Sequence, residues 1–540
     1  MAQRLASGAF GLGPGATVAW LSEEFEHRRH RPEPGPVTNS GITWVVADDQ
    51  RTTLVWVHNY WSGAYGIERP TISATLLDLS GTSISTWSFT LDPDATAVID
   101  VRARVRSAGI EGHFDGQLLL ELTDDHLVAR RPLQMITDFV HDDHSVSCVH
   151  GQYGRQIRPI GQVVGYMRAE ARPGVRTAIV VVNTYDGPGH PRTYRPRVTV
   201  RDAQGNELNT VLDDLGLLES RVVWLDEVFE GLESFLGGTP GTVAVHLPCP
   251  NQRVACFTHY EDRRGLIVNH GTGETWFGTP GTCPAEWHQS EPVSSCVVEC
   301  SITRDTTLSF ANVWAPDAAV YTAEITFFDH SGAIRFRHEV AVARRALVTV
   351  SARDLMVAHG VTMSSKPSLA HAEVRLRSGS PSQDRPAVFD TLLGIVDDGK
   401  LVGEALIGGE FLNAPVPAGS WLPDVRRSRS FVRARTGGGY RTRLLVANPS
   451  GSPHYDVTAH TLCTLIDPQG TRRTTAEIEI PPHGFLELDV TTLFPDASEV
   501  LGPEGIGTVH LRSTDARLYG VHVLEHPSSA TVAIDHLVGG

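Results

Sequence analysis

The sequence predicts an all-β protein built from four tandem antiparallel β-sandwich (Ig-like) domains. Short apolar runs, several with strict alternation, follow one another about every ten residues and are separated by Gly, Pro, Asp and Asn. The same ordered set of runs occurs four times, and long amphipathic helical stretches are missing. Because 540 residues are too many for one hydrophobic core, each repeat is expected to bury its own.

Two residue types set the register of the repeat. Four apolar runs end at an Asn, at steps of 124, 129 and 136 residues: Asn59, Asn183, Asn312 and Asn448. A second run ends at an Asp with a Gly three residues later: Asp78, Asp202, Asp329 and Asp467. Each Asp follows its Asn by 19, 19, 17 and 19 residues. Asp bonds local backbone amides and Gly accepts positive φ, so each Asp-x-x-Gly predicts a β-hairpin tip.

A third strand-like run in every repeat leads into a single helical turn. The Asp residues at this point are expected to cap the turn by accepting hydrogen bonds from free backbone amides: Asp100, Asp226, Asp354 and Asp489. One more strand and a closing hairpin complete the repeat. With boundaries at Gly/Pro-rich segments, we predict an N-terminal tail at 1–15 and units 1 to 4 at 16–150, 151–271, 272–411 and 412–540.

The order of these motifs resembles the sensory rhodopsin transducer family, whose members are single β-sandwich domains that assemble as homotetramers. Unit 3 carries the best match, with FAN ending at Asn312, AEITFFDHSG around Asp329 and AVARRALVTVSARDL after it. The closing strand of the family matches ACFTHYEDRRG at His259 and YGVHVLEH at His522. Asp138 and Asp390 stand in the corresponding place of units 1 and 3, which departs from the family's His. The resemblance implies a pseudo-tetramer, in which four fused copies form the ring that the family makes by assembly.

Charge and hydropathy argue against several classes of function. Formal net charge is −16, so the surface as a whole repels nucleic acid and anionic membranes. No run of about 18 apolar residues is free of charge, and we therefore expect no membrane insertion. The first residues lack the continuous apolar core of a secretory signal, and seven Cys is an odd, sparse count typical of reduced thiols. We expect a cytoplasmic protein.

No enzyme family signature is present: the sequence has no nucleophile elbow, P-loop or HExxH helix. The 24 His residues are the sharper feature, because several lie in the closing hairpins. In one hairpin, His259 and His270 are expected to lie nearly opposite each other on adjacent strands, and His522 and His536 belong to the hairpin of unit 4. These four are the candidate metal ligands. The alternative is that each imidazole bonds to backbone at a strand end.

Two further groups have types of side chain that bind ions. Cys283, His288, Cys296 and Cys300 have ligand types that suit zinc, but residues four apart on a strand are about 13 Å distant, so buried free thiols are the alternative. The second group is a basic run: Arg426, Arg427, Arg429, Arg433 and Arg435. In an acidic chain, this run is expected to pair with acidic loops of neighbouring units rather than with nucleic acid.

Aromatic residues follow the strand-ending Asn in three units: Tyr60 and Trp61, Tyr185, and Trp314. Exposed on loops at one end of a sandwich, these rings would suit a sugar or a protein partner. The alternative is that they plug the end of each core, since aromatic side chains gain most by burial.

The sequence therefore favours a non-catalytic structural, scaffold or interaction protein, with protein partners or self-association and no cofactor. One alternative is a small-molecule or carbohydrate binder that uses the aromatic loops, which requires an exposed Trp61 or Trp314. The other is a metal-dependent enzyme at the His-rich hairpins, which requires three or more ligands converging on one point.

Overall fold

The fold comes from a computed structural model, which describes residues 37–62, 66–124, 133–153, 163–184, 193–246, 254–260, 265–270, 272–273, 293–311, 321–343, 345–378, 390–410, 413, 428–452 and 454–539. Most of these residues lie in strands, and the sheets are antiparallel, which confirms the prediction of an all-β protein. Among the helices of these ranges, none has the length and apolar character needed to cross a membrane.

Unit 1 contains two sheets. Its strands are β1 (Val37–Ala47), β2 (Arg51–His58), β3 (Thr71–Asp78), β4 (Ser83–Thr90), β5 (Thr96–Asp100), β6 (Phe114–Asp124), β7 (Ile136–His141), β8 (Val146–His150) and β9 (Gln152–Tyr153). One sheet has the strand order β4-β3-β6-β1-β9 and the other β5-β2-β7-β8. Because β9 pairs with β1, the first sheet runs past the boundary predicted after residue 150.

Unit 2 repeats this arrangement. Its strands are β10 (Val163–Ala169), β11 (Val175–Val182), β12 (Thr193–Tyr194), β13 (Arg197–Arg201), β14 (Glu207–Val211), β15 (Leu215–Gly216), β16 (Ser220–Trp224), β17 (Gly241–His246), β18 (Val254–Tyr260), β19 (Gly265–His270) and β20 (Thr272–Gly273). The two larger sheets have the orders β14-β13-β17-β10-β20 and β16-β11-β18-β19, while β12 pairs with β15.

Unit 3 joins its two halves into one sheet. Its strands are β21 (Val293–Cys300), β22 (Arg304–Ala311), β23 (Tyr321–Phe328), β24 (Ile334–Val342), β25 (Leu347–Ser351), β26 (Ser368–Ser378), β27 (Asp390–Asp397) and β28 (Lys400–Glu410). The order is β24-β23-β26-β21-β28-β27-β22-β25. The long β28 pairs with β27 along most of its length and reaches β21 at Gly409 and Glu410, so one strand belongs to both halves.

Unit 4 returns to two separate sheets. Its strands are β29 (Ser428–Arg435), β30 (Arg441–Ala447), β31 (Ala459–Ile466), β32 (Arg473–Ile480), β33 (Phe485–Asp489), β34 (Ile506–Ser513), β35 (Tyr519–Glu525), β36 (Ala533–His536) and β37 (Val538–Gly539). The orders are β32-β31-β34-β29-β37 and β33-β30-β35-β36.

An apolar cluster lies between the two sheets of a unit. In unit 1 it combines Val45 of β1, Leu76 of β3 and Leu118 of β6 from one sheet with Val55 and Val57 of β2 from the other. Alternate residues of each strand contribute, because successive side chains point to opposite faces. The two sheets therefore pack face to face, as in a β-sandwich.

A buried threonine hydroxyl makes the same pair of hydrogen bonds in all four units. It accepts from the backbone N–H of the residue seven positions earlier and donates to the carbonyl of that residue: Thr53 with Val46, Thr177 with Glu170, Thr306 with Glu299, and Thr442 with Arg435. These threonines recur at the same steps as the strand-ending Asn residues. The sequence repeat is thus also a repeat of hydrogen bonding.

The repeated Asn and Asp residues hold turns. The amides of Asn59, Asn183 and Asn448 donate to the carbonyl 32 residues later, while Asn312 lies outside the described residues. At each Asp-x-x-Gly, the Gly amide donates to the Asp carbonyl, and φ is positive at Gly81, Gly205, Gly332 and Gly470. The Asp side chain accepts from the amide four residues later. The predicted hairpin tips are confirmed.

Short helices follow β5, β16, β25 and β33. They are α1 (Val101–Ser107), α2 (Leu225–Val228), α3 (Leu232–Leu236), α4 (Ala352–Ala358), α5 (Val490–Leu493) and α6 (Ala497–Leu501), with a 3-10 turn at Gly437–Gly439. Asp100 and Asp489 cap α1 and α5 as predicted.

The predicted caps Asp226 and Asp354 are wrong. Both lie inside their helices, because the capping positions of α2 and α4 hold Trp224 and Ser351. The Ser351 hydroxyl accepts from the backbone amide of Asp354, while the Trp224 side chain makes no capping bond. The Asp226 carboxylate instead accepts a hydrogen bond from Arg176 Nε at 2.7 Å.

Each hairpin tip region contacts the next unit. In the unit 1 tip, the Leu79 carbonyl accepts from Ser220 N at 2.9 Å. Beyond the unit 2 tip, Glu207 accepts from Arg345 of unit 3 at 2.7 Å. The unit 3 tip at Gly332 lies against Pro482 of unit 4.

The contacts of unit 4 return to unit 1. In the unit 4 tip, the Pro468 carbonyl accepts from Thr96 N at 2.8 Å. The second strands of the four closing hairpins are β8, β19, β28 and β36. They contact one another in the order of the units, β8 with β19, β19 with β28 and β28 with β36, and β36 in turn contacts β8. Apolar clusters are shared across these contacts as well; Phe431 and Val538 of unit 4, for example, belong to the cluster of unit 1.

Candidate functional site

Histidines from three units meet where the closing hairpins contact one another. His150 ends β8, His270 ends β19 and His536 ends β36. The ring centroid of His150 lies 4.3 Å from that of His270 and 4.4 Å from that of His536. Asp535 Oδ2 lies 3.0 Å from His150 Nδ1. Atoms that could coordinate a metal on these four residues, the inter-unit histidine cluster, all lie within 4.8 Å of one another.

Strand register explains why these histidines converge. Each of the three histidines lies two residues before a residue that pairs with the first strand of the same unit. Those paired residues are Gln152, Thr272 and Val538. In unit 3 the pairing position is Gly409, so Ile407 occupies the corresponding place. The cluster therefore receives one imidazole from each of units 1, 2 and 4, whereas the equivalent residue of unit 3, Ile407, belongs to an apolar cluster.

Asp535 contributes a carboxylate to a largely buried part of the cluster. Asp535 is 2% exposed and His270 is 4% exposed. Burial by itself raises the pKa of the Asp535 carboxyl, but the charge and hydrogen bond of His150, with His536 and His522, lower this pKa far below its ordinary value. The carboxylate also accepts from the backbone amide of His536 at 2.8 Å, which fixes its orientation. An ionised carboxylate among imidazoles favours a cation.

A second group, Cys148, His522 and Asp535, adjoins the first. Arg433 Nη1 lies 2.6 Å from His522 Nδ1, and this contact needs a neutral imidazole as the acceptor. Burial, then the charge of Arg433, lowers the pKa of His522 well below its ordinary value. Burial raises the pKa of the Cys148 thiol well above its ordinary value. Arg433 is thus the cation of this group, and it repels a metal ion.

A third group, His58, Asp94 and His510, lies between units 1 and 4. The rings of His58 and His510 meet edge to face, with centroids 4.6 Å apart. Burial, with the charge of Arg429, lowers the pKa of His58 to about 3. Burial, then the charges of His58 and of nearby arginines, also lowers the pKa of His510 well below its ordinary value. Two neutral imidazoles therefore pack at this interface.

A buried carboxylate joins units 3 and 4. Glu373 Oε2 lies 2.7 Å from Arg375 Nη2, and its Oε1 lies 2.8 Å from Nδ1 of His483 in unit 4. Burial alone would raise the pKa of Glu373, but the charge of Arg375 and the hydrogen bond of His483 lower it to about 2. The group is an ion network that holds an interface.

Of the four predicted metal ligands, His270 and His536 belong to the inter-unit histidine cluster and His522 lies in the adjoining group. The expectation that His259 lies opposite His270 is wrong. The hairpin pairs His259 with Leu266 and His270 with Ala255. A pair between His259 and His270 would need a turn centred two residues later in the chain. Sequence reasoning did not select His150 or Asp535. The sequence contains one indication of this cluster, because units 1, 2 and 4 each have a His two residues before the paired residue of their last short strand.

The structure buries the aromatic pair of unit 1. Trp61 is 0% exposed and Tyr60 is 3% exposed, and Tyr60 stacks on Phe431 of unit 4 with centroids 5.2 Å apart. These two rings plug a core and offer no free face to a sugar. Tyr185 and Trp314 lie outside the described residues.

The other candidate groups have structural roles where the structure describes them. Cys296 and Cys300 are buried on β21, and burial raises the pKa of each thiol to about 12. Cys283, His288, Arg426 and Arg427 lie outside the described residues. In the basic run, Arg433 pairs with Asp138 of unit 1 at 2.7 Å, so the pairing is between units, but its partner is a buried residue of strand β7 and not an acidic loop as expected. Arg435 lies over the Tyr440 ring.

The fold and these groups define an all-β protein with clusters of buried ionisable side chains between its repeated units. No protein-family model matches the chain, and no curated protein matches its sequence.

Proposed function

We propose that the chain is a non-catalytic scaffold whose four β-sandwich units close into a ring, a pseudo-tetramer within one polypeptide. The observation that carries this proposal is the return of contacts from unit 4 to unit 1, through Pro468 and Thr96 and through β36 and β8. A string of domains would leave the outer faces of the first and last units in water. Here those faces share an apolar cluster.

Differences among the interfaces support a fixed order of units. Units 1 and 2 meet through apolar side chains that include Trp44 and Val180. Asn269 donates to Glu404 between units 2 and 3, Arg443 pairs with Glu299 between units 4 and 3, and Arg433 pairs with Asp138 between units 4 and 1. A homotetramer repeats one interface, whereas the interfaces between fused copies can diverge in sequence. Polar pairs that differ from one interface to the next disfavour packing of the units in another order.

A closed frame would hold four sets of divergent loops in fixed positions, which suits a protein partner. Burial of Tyr60 and Trp61 weighs against a carbohydrate site at the first of these loops. The cysteines that the structure describes in full, Cys148, Cys296, Cys300 and Cys463, are free and buried. Reduced thiols support the proposal that the scaffold works in the cytoplasm.

A designed disulfide tests closure of the ring. Thr96 Oγ1 lies 2.7 Å from Thr508 Oγ1 across units 1 and 4. In the double variant T96C/T508C, mild oxidation should form a disulfide within one chain, which increases mobility in a non-reducing gel and leaves a monomer in solution. The single variants T96C and T508C are the controls.

Scattering in solution provides the second measurement. A compact chain of 540 residues should have a radius of gyration of about 24 Å. A disulfide that links two chains, a pair that does not oxidise, or a much larger radius would contradict the closed scaffold.

A further inference from the structure

We propose that the inter-unit histidine cluster binds one Zn²⁺ ion, which ties units 1, 2 and 4 together. His150, His270 and His536 are the nitrogen ligands, and Asp535 supplies the neighbouring carboxylate. This site goes beyond the scaffold role, because a ring can close with or without a metal.

The ligand set fits zinc in number and kind. Zinc takes imidazole nitrogen and carboxylate oxygen in tetrahedral sites with bonds of about 2.0–2.2 Å, so its ligand atoms stand about 3.4 Å apart. The corresponding atoms of the cluster already lie within 4.8 Å of one another. Small side-chain rotations would bring them to bonding distance. Three imidazoles with one carboxylate do not suit Mg²⁺ or Ca²⁺, which prefer oxygen.

Neighbouring groups orient the ligands. His536 Nδ1 lies 3.0 Å from the Leu537 carbonyl, so it carries the proton, and Nε2 keeps its lone pair for a metal. Asp535 Oδ2 lies 3.0 Å from His150 Nδ1, so the Nε2 atom of His150 remains for a metal. The carboxylate also offsets part of the charge of a divalent ion.

The location offers a path for the ion. Asp535 and His270 are nearly buried, whereas the His150 side chain is 12% exposed and His536 is partly exposed. The other two groups with suitable ligand types are less favourable. Arg433 contacts His522 in one, and the charge of Arg429 acts on His58 in the other.

The full-length chain tests the site directly. After removal of metal with a chelator, we expect the wild type to take up one Zn²⁺ per chain by elemental analysis. Co²⁺ in its place should give the strong visible absorption of tetrahedral nitrogen and oxygen coordination. Zn²⁺ should raise the melting temperature, and chelator should reverse the rise.

Variants assign the ligands. H270Q and H536Q should each weaken Co²⁺ binding at least tenfold, and D535N should weaken it about 10- to 100-fold, as loss of a partner in a metal site does. The control is H113Q, since the His113 side chain is 53% exposed and lies outside the cluster.

A wild-type chain that takes up no stoichiometric Zn²⁺ or Co²⁺ would overturn the proposal, as would H270Q or H536Q with undiminished affinity. If a His variant fails to fold, titration of the wild type and of D535N decides. The disulfide between units 1 and 4 is measured without metal, so failure of the zinc site and failure of the ring give different results.

Discussion

Arg433 Nε lies 2.7 Å from Asp138 Oδ2, and both side chains are completely buried between units 4 and 1. The same carboxylate oxygen accepts from Trp56 Nε1 at 2.8 Å. Burial raises the pKa of Asp138 even against the charges of Arg433 and Arg435, so removal of these two charges from water is costly. The desolvation cost of such a pair offsets much of its attraction, so the pair is weak evidence for net stabilisation.

Loss of one partner of this pair should be more harmful than loss of both. R433M leaves the Asp138 carboxylate buried without its cation, and we expect the free energy of unfolding to fall by about 3–5 kcal/mol. The double variant R433M/D138L should recover most of this loss. Urea unfolding of both variants measures the difference.

The control for this comparison is R195M, because Arg195 and Asp214 form an exposed pair with side chains 69% and 57% accessible. Its effect on the free energy of unfolding should be small compared with that of R433M, because solvent screens an exposed pair. Equal losses in R433M and in the double variant would show that packing, and not the uncompensated charge, sets the cost.

Gly470 provides a test of the contact between the unit 4 tip and unit 1. Its φ is +76°, and a Cβ added there would clash with the Pro93 carbonyl oxygen. Gly174 has nearly the same φ, +77°, but a Cβ there meets nothing within 4 Å. Both G470A and G174A place Ala in the left-handed region, at a cost of about 1–2 kcal/mol.

Only G470A should also push unit 4 away from unit 1. We expect a larger loss of stability in G470A than in G174A, and faster hydrogen exchange of the Thr96 amide, which donates to the Pro468 carbonyl. Equal stability and equal exchange in the two variants would mean that the tip does not press on unit 1 in solution.

The sequence predicted local features better than distant ones. Asp-x-x-Gly tips are correct in all four units because the bonds of a turn lie within a few residues of each other. Asp226 and Asp354 failed as caps because Asp is favoured both at a cap and in the first turn of a helix. The inter-unit histidine cluster joins His150 to Asp535, which are 385 residues apart. The spacing of residues along the chain does not show which strands of distant repeats pack against each other.

The repeated threonines should be equivalent in energy. In T53V, T177V, T306V and T442V, the shape of the side chain is kept, but a buried N–H and carbonyl lose their hydroxyl partner. We expect each variant to lose about 1–3 kcal/mol of unfolding free energy, with similar values in the four units. The control is T475V, at an exposed position of β32. A loss confined to one unit would show that the shared bond does not carry the effect.

Acid should loosen the contact between units 1 and 4 through His58. Burial, with the charge of Arg429, holds the pKa of His58 at about 3 in the folded protein, against 6.5 for an ordinary imidazole. As pH falls below 6.5, the unfolded chain takes up the proton first, so stability from this group is complete above 6.5 and declines towards pH 3. At about pH 5 the loss from His58 should reach about 2 kcal/mol. Urea unfolding across this pH window should show a dependence of the unfolding free energy on pH that is shallower in H58Q than in the wild type by the equivalent of about one proton. If H58Q kept the wild-type slope, His58 would not be the group that titrates.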